Sequence, residues 1–128
     1  MDKKKILVVD DEPDVLRVTS IRLKKLGYNV LTAAGGKEAL DTMRSENPDL
    51  VLLDLVMPFM NGAEACEQVK NDETLKHIPI ILFTASGNGA MTAEQIKKIG
   101  ADDYIIKPFE PEELMGRVEG ILAQGANL

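Results

Sequence analysis

Short apolar runs alternate along this chain with longer segments in which apolar residues recur every three or four positions. The runs cover residues 6–9, 29–32, 50–53, 78–83 and 104–106. Most of them are apolar at nearly every position, which is typical of strands covered on both faces in a parallel sheet. The pattern therefore predicts five buried parallel strands.

The segments after each run predict five helices with clear start and stop signals. These segments lie near 12–26, 37–45, 63–70, 92–100 and from 111 onward. Gly27 and Gly100 are suited to left-handed helix ends, where glycine has no steric penalty. Thr92 and Gln95 have the spacing of a capping box, and Pro111 fits the first turn of the last helix.

Five strand–helix units in series indicate an α/β fold. Right-handed crossovers between parallel strands place helices on both faces of an open sheet, giving a doubly wound three-layer sandwich. The 128 residues contain no linker or low-complexity tract. We therefore expect one domain spanning 1–128, with no output domain in this chain.

The composition of the chain argues against several classes of function. The net charge of −6 argues against direct nucleic-acid binding, which needs lysine and arginine against phosphates. The single cysteine, Cys66, excludes an internal disulfide and fits a reducing compartment. No apolar window approaches the roughly 20 residues of a membrane helix. We expect a cytoplasmic protein without membrane contact.

Chemically active side chains stand at the predicted strand ends, where ligands bind in such sheets. Asp10 and Asp11 follow the first strand, Asp54 the third, Thr84 the fourth and Lys107 the fifth. Each has a plain structural alternative. An aspartate after the first strand could cap a helix, Asp54 could belong to a turn, the threonine could bond to backbone, and the lysine could be solvated.

The five side chains taken together favour a metal-assisted phosphoryl site. Three carboxylates at one sheet edge repel one another, and one lysine cannot offset them. Mg²⁺ binds one or two carboxylates and leaves room for phosphate oxygens. Asp54 lies nearest the centre of the edge, and aspartate can form a covalent phospho-intermediate. We therefore expect Asp54 to be the nucleophile.

Four segments resemble the signature segments of the response-regulator receiver domain of two-component signalling. They are ILVVDDEPDVL, DLVLLDLVMPFMNG, IPIILFTAS and GADDYIIKPF, and the resemblance extends from about Lys4 to Ala123. It implies a flavodoxin-like sheet in the order 2-1-3-4-5, as in the chemotaxis regulator of this family.

The resemblance implies specific roles at the metal site. Asp54 matches the phosphoacceptor, Asp11 a direct metal ligand, and Asp10 the acid that holds the metal through water. The backbone carbonyl of Val56 matches the remaining protein ligand. The expected cofactor is Mg²⁺ or Mn²⁺.

The resemblance also implies a switch. Thr84 matches the switch hydroxyl, Lys107 the partner of the phosphoryl oxygens, and Tyr104 the aromatic that moves inward on activation; the Lys107–Pro108 bond is usually cis. The expected function is a phosphorylation-activated switch that changes the surface of helix 4, strand 5 and helix 5, with slow self-dephosphorylation as its only further catalysis.

The resemblance implies protein partners as well. The expected partners are a sensor histidine kinase or phosphotransfer protein and a downstream protein target. The chain is expected to be a monomer or a weak phosphorylation-dependent dimer.

Two other classes fit less well. A haloacid-dehalogenase-like phosphatase would carry its nucleophile in a DxD motif after the first strand, where this chain has Asp10-Asp11-Glu12, and 128 residues leave no room for a cap domain. A flavin-binding electron carrier would need a phosphate loop after the first strand, and the same acids would repel that phosphate.

Overall fold

The computed structural model describes residues 3–85 and 91–126. Its strands are β1 Lys5–Val9, β2 Asn29–Ala33, β3 Leu50–Asp54, β4 Ile80–Ala85 and β5 Asp103–Lys107. Its helices are α1 Pro13–Lys25, α2 Gly36–Glu46, α3 Gly62–Lys70, α4 Ala93–Lys98 and α5 Pro111–Ala126. The predicted alternation of strand and helix is confirmed over the described residues.

All four strand pairings are parallel, and the sheet order is β2-β1-β3-β4-β5. This confirms the predicted doubly wound architecture and strand order. In the register, Leu52 of β3 lies between Val8 of β1 and Ile81 of β4. β3 therefore occupies the centre of the sheet, and its carboxyl end lies between those of β1 and β4.

Successive residues of a strand pack into two different hydrophobic cores, because side chains alternate between the two faces of the sheet. Leu7 packs in a cluster that includes residues of α2, α3 and α4. Val8, Leu52 and Ile81 pack in the opposite cluster, which includes residues of α1 and α5. All four side chains are fully buried, as predicted. Both faces of the sheet are covered, which explains the continuous apolar runs.

Two glycines follow helix ends, and a capping box begins a helix, where the sequence predicted them. Gly27 and Gly100 both have positive φ angles, of 96° and 94°. The capping box of α4 joins Thr92 and Gln95. A second capping box, joining Asn61 and Glu64 at the start of α3, was not predicted.

The predicted fourth strand is displaced in the structure. It begins at Ile80 rather than at residue 78 and continues to Ala85. Ile78 instead donates its backbone N–H to the carbonyl of Leu75, in the turn that precedes the strand. Pro79 has no N–H to give to a ladder, which accounts for the later start. Thr84 consequently lies within the strand.

No helix in the described part of the chain combines the length and the apolar character that a bilayer crossing requires.

Candidate functional site

Three carboxylates meet at the carboxyl end of the two central strands. Asp10 and Asp11 directly follow β1, and Asp54 is the last residue of β3. One oxygen from each carboxylate lies within 4.8 Å of the others. Pairing of β1 with β3 in parallel register brings them together, because Val9 lies opposite Leu53 and the next residue on each strand is an aspartate.

Asp10 is the most constrained of the three. Its side chain is only 1% exposed, and its Oδ1 accepts a hydrogen bond of 2.9 Å from the backbone N–H of Glu12. Its Oδ2 is buried and has no hydrogen-bond partner among the described residues. Burial raises the pKa of Asp10; the Glu12 N–H opposes the shift, and the charge of Asp54 adds to it. A buried acceptor in this state is suited to a cation or an ordered water.

Lys107 joins the carboxylates from the end of β5. Its Nζ lies 3.4 Å from Oδ1 of Asp54 and 3.8 Å from Oδ2 of Asp10. The ammonium also lies 5.7 Å from the ring centroid of Phe83, which stacks on Phe109 at 5.3 Å. The Lys107 ammonium thus lies over the Phe83 ring and forms an ion pair with Asp54.

The bond between Lys107 and Pro108 is cis, as the resemblance implied.

Thr84 and Tyr104 lie on one face of the sheet. Thr84 is buried, and it follows Leu82 by two residues, so their side chains lie on the same face. Tyr104 is the register partner of Leu82 and packs, partly buried, against the cluster on the α2, α3 and α4 side. The threonine and the aromatic residue therefore lie on the same face of the sheet.

The structural alternatives for the aspartates account for only part of the geometry. The N-cap of α1 is Glu12, and its side chain makes no capping hydrogen bond. Asp54 does accept a long hydrogen bond of 3.4 Å from the N–H of Val56, as a turn residue would. That contact does not explain why Asp54 is 6% exposed beside two other acids. Helix capping is excluded for Asp10 and Asp11.

The donor set fits a hard divalent cation. It offers carboxylate oxygens from three residues, one of them a buried oxygen without a hydrogen bond, at the spacing of a shared ion. Carboxylate oxygens are the ligands that Mg²⁺, Mn²⁺ and Ca²⁺ prefer. The three carboxylates and the single ammonium leave the site with a net charge of −2, so it can hold a metal ion.

Some residues of the site were not predicted from the sequence, and others lie outside the residues that the structure describes. Phe83 and Phe109 support Lys107, and no local signal in the sequence marks that stacking. Gly62 begins α3 directly behind Asp54, where a Cβ atom would collide with the Asp54 carbonyl oxygen. Ser86, Gly87 and Gly89, which come after β4 in the sequence, lie outside the described residues.

Comparison with known proteins assigns the family. The family model of the response regulator receiver domain matches residues 6–119. The chain is 43% identical over 127 residues to the probable transcriptional regulator ycf27 of Cyanophora paradoxa, covering 99% of this chain and 52% of that protein. It is 40% identical over 124 residues to the alkaline phosphatase synthesis transcriptional regulatory protein PhoP of Bacillus subtilis, covering 93% and 48%. The chain thus spans about half the length of these relatives.

Solved structures agree. A putative response regulator from Chloroflexus aurantiacus superposes with a TM-score of 0.86 at 36% identity, covering 95% of this chain and 99% of that one. The BeF3-activated N-terminal receiver domain of Klebsiella pneumoniae RstA superposes with a TM-score of 0.83 at 31% identity, covering 93% and 98%. With the family match across most of its length, the chain belongs to the response regulator receiver domains of two-component systems.

Proposed function

We propose that this domain is a phosphorylation-activated switch in which Asp54 accepts a phosphoryl group from a phosphohistidine. One observation carries the proposal: three carboxylates and one ammonium converge at the carboxyl end of the central strand, where Asp10 and Asp54 are both buried. A site with net negative charge is poorly suited to an anion until a cation joins it. A metal-assisted reaction with a phosphoryl group is the chemistry that uses all four groups.

The proposed transfer is a direct displacement at phosphorus. A carboxylate oxygen of Asp54 attacks the phosphorus atom, and an acyl phosphate bond forms. The bond from phosphorus to the imidazole nitrogen breaks, and its electron pair stays on the imidazole. The Lys107 ammonium, already 3.4 Å from Asp54, is placed to pair with the phosphoryl oxygens.

Asp10, Asp11, Asp54 and the carbonyl of Val56 are the residues we propose to hold Mg²⁺ or Mn²⁺. When bound, the ion supplies positive charge that offsets the carboxylates and the incoming phosphoryl oxygens. The buried Oδ2 of Asp10, which has no hydrogen-bond partner among the described residues, supports this assignment. It is suited to holding a metal-bound water, the role that the family resemblance implies for Asp10.

The proposed readout is a shift between two packings. A phosphoryl group on Asp54 would attract the Thr84 hydroxyl, and Tyr104, which shares that face, would move into the vacated space. The surface of α4, β5 and α5 would then favour a different partner. The size of the shift is set by the contacts that the phosphoryl group makes in one packing and lacks in the other.

The expected partners are a sensor histidine kinase or phosphotransfer protein and a downstream protein. The relatives are named as transcriptional regulators and are about twice as long as this chain. The expectation that nucleic acid is not bound directly therefore applies only to these 128 residues. A longer protein built on this domain could act on DNA through its other half.

The test uses a small phosphodonor. Acetyl phosphate and Mg²⁺ are incubated with the parent chain and with Asp54→Asn, and intact masses are compared. We expect one added phosphoryl group on the parent, none on the variant, and none on either protein with EDTA. Equal labelling of the variant would place the acceptor at another residue.

A further inference from the structure

The strand that carries Asp54 and the strand that carries Lys107 are not neighbours in the sheet. β4 separates β3 from β5, so the side chain of Lys107 must cross β4 to reach Asp54. The residue of β4 that pairs with Asp54 is Phe83. Directly paired residues of adjacent strands have their side chains on the same face of a sheet. A buried aromatic ring therefore stands beside the acceptor, on the strand that Lys107 crosses.

The carboxylates attract the Lys107 ammonium without fixing its position. Its Nζ lies 3.4 Å from Oδ1 of Asp54 and 3.8 Å from Oδ2 of Asp10. Both distances exceed the roughly 2.7–3.2 Å of an N–H···O hydrogen bond. The lysine side chain is flexible and 35% exposed, and holding it in one geometry costs rotamer entropy. A contact that restricts this side chain therefore favours the geometry in which the ammonium faces Asp54.

The Phe83 ring supplies such a contact. The Lys107 Nζ lies 5.7 Å from the ring centroid, within the roughly 6 Å at which the face of an aromatic ring attracts a cation. Phe83 is only 2% exposed, and contacts of this kind are stronger where water is excluded. The ring has no net charge. Its attraction for the lysine therefore remains when a cation joins the carboxylates and offsets part of their attraction.

A second ring stabilises the orientation of the first. Phe109, two residues beyond Lys107, stacks on Phe83 with 5.3 Å between the ring centroids and 27° between the ring planes. Residues 107–109 therefore contact Phe83 twice, through the ammonium and through the second ring. Both rings also pack in the core on the α1 and α5 side. Any apolar side chain of suitable size could fill that core, whereas only an aromatic ring has a face that attracts a cation.

We propose that Phe83 is a positioning residue for phosphoryl transfer. The face of its ring holds the Lys107 ammonium beside Asp54, where the oxygens of the incoming phosphoryl group arrive, and Phe109 keeps the ring oriented. The inference rests on the proposed function and deepens it, because it adds a residue that acts through Lys107 rather than on the phosphorus atom. A ring of the same size with a weaker attraction for cations should therefore slow the transfer, and only through the lysine.

The test weakens the attraction of the ring for a cation while nearly preserving its shape. A phenylalanine trifluorinated on the ring positions farthest from Cβ is placed at residue 83 by codon suppression, because fluorine withdraws electron density from the ring face. The same amino acid at residue 59, where the ring is fully exposed, is the matched control. Each protein is made with Lys107 and with Lys107→Ala. Rates of labelling by acetyl phosphate and Mg²⁺ are then measured by intact mass.

The proposal predicts a loss that depends on the lysine. Fluorination at residue 83 should slow labelling by about two- to fivefold, the factor that corresponds to about 0.5–1 kcal/mol of cation–ring attraction. Fluorination at residue 59 should leave the parental rate. In Lys107→Ala, which should itself label more slowly, fluorination at residue 83 should have no further effect. In the NMR spectrum of the parent, the ε-methylene protons of Lys107, assigned by their loss in Lys107→Ala, should be shifted upfield by the ring.

Three results would overturn the inference. Labelling of the protein fluorinated at residue 83 at the parental rate would show that the ring does not assist the lysine. An equal fall with and without Lys107 would assign Phe83 to the packing of the site alone. Lysine ε-methylene protons at the chemical shift of an exposed lysine would contradict the contact itself. A parent chain that keeps the upfield shift but accepts no phosphoryl group would instead reject the proposed function, and with it a role of Phe83 in transfer.

Discussion

At the scale of single residues, the site is organised by charge that the fold crowds together. Asp10 has one oxygen bonded to the Glu12 N–H and one without a hydrogen bond, and one of its oxygens lies within 4.8 Å of oxygens of Asp54 and Asp11. Lys107 is the cation that the described structure places among them. The fold therefore holds three carboxylates in a repulsive arrangement, which costs stability in the absence of a cation.

Asp10→Asn should make the metal-free domain more stable at neutral pH. Burial raises the pKa of Asp10, so the folded state disfavours its charge. A raised carboxyl pKa means that stability is fully present below the unfolded value of 3.8 and is lost as pH rises through the folded value. Urea unfolding in EDTA should show a higher midpoint for Asp10→Asn at pH 7, with the difference narrowing toward acid pH.

Saturating Mg²⁺ provides the control for that prediction. A ligand that binds only the folded state stabilises it by mass action, and the parent has the complete set of carboxylates. The parent should therefore gain more stability from Mg²⁺ than the variant does. A lower urea midpoint for Asp10→Asn in EDTA at pH 7 would contradict the repulsion argument.

Val56 should prolong the phosphorylated state. An acyl phosphate on Asp54 would decay by in-line attack of water, and we expect Val56, two residues past Asp54 and 69% exposed, to flank that approach. Its apolar branched side chain cannot orient an attacking water. After removal of acetyl phosphate, decay of the phosphorylated mass should be faster in Val56→Asn and Val56→Glu than in the parent, by about tenfold if one positioned group assists the water. Unchanged or slower decay in both variants would exclude this position from gating the water.

At the scale of elements, the site depends on how tightly loops follow strand ends. α3 begins at Gly62, against the Asp54 carbonyl, so the third strand, its loop and the following helix are one packed unit. The sequence predicted this helix, because its polar and apolar positions have helical spacing. It did not predict the φ angle of 69° at Phe59, because a positive φ at a bulky residue contradicts local preference.

Gly62→Ala should lower the stability of the fold and slow the phosphorylation of Asp54. The added methyl group has no free space beside the Asp54 carbonyl, so the loop or the strand end must shift, which we expect to cost about 1–3 kcal/mol as overpacking does. Chemical denaturation should show the loss, and acetyl phosphate should label the variant more slowly.

Gly116→Ala provides a matched control for that substitution. Gly116 lies inside α5 with no atom within 4 Å of the added methyl group, so alanine should stabilise the helix by about 0.5–1 kcal/mol. Parental stability and labelling in Gly62→Ala would show that the close contact does not constrain the site.

At the scale of the whole molecule, strand order determines which residues can cooperate. The order β2-β1-β3-β4-β5 places the acids of β1 and β3 side by side and brings Lys107 to them across β4. The apolar runs, and the polar residues that follow them, predicted from the sequence that these side chains lie close together. The reason is that the carboxyl ends of parallel strands lie at the same edge of the sheet. The start of β4 and the aromatic support of Lys107 depend on long-range packing, which local pattern does not encode.

Thr84→Ala should separate phosphorylation from its readout. The variant retains the acids and Lys107, so acetyl phosphate should still label Asp54. In the proposed switch, the variant lacks the hydroxyl that would link the phosphoryl group to the face that carries Tyr104. Amide chemical-shift changes in residues 103–107 after labelling should therefore be much smaller than in the parent. Full-sized changes in the variant would remove Thr84 from the switch.

If Asp54 accepts a phosphoryl group in the presence of Mg²⁺, the labelled protein contains an acyl phosphate at that residue. Sodium borohydride converts a phosphorylated aspartate to homoserine, and peptide sequencing by mass spectrometry then locates the modified residue. We predict homoserine at residue 54 only, dependent on both acetyl phosphate and Mg²⁺. Homoserine at another aspartate, or the same yield at residue 54 in EDTA, would contradict the account.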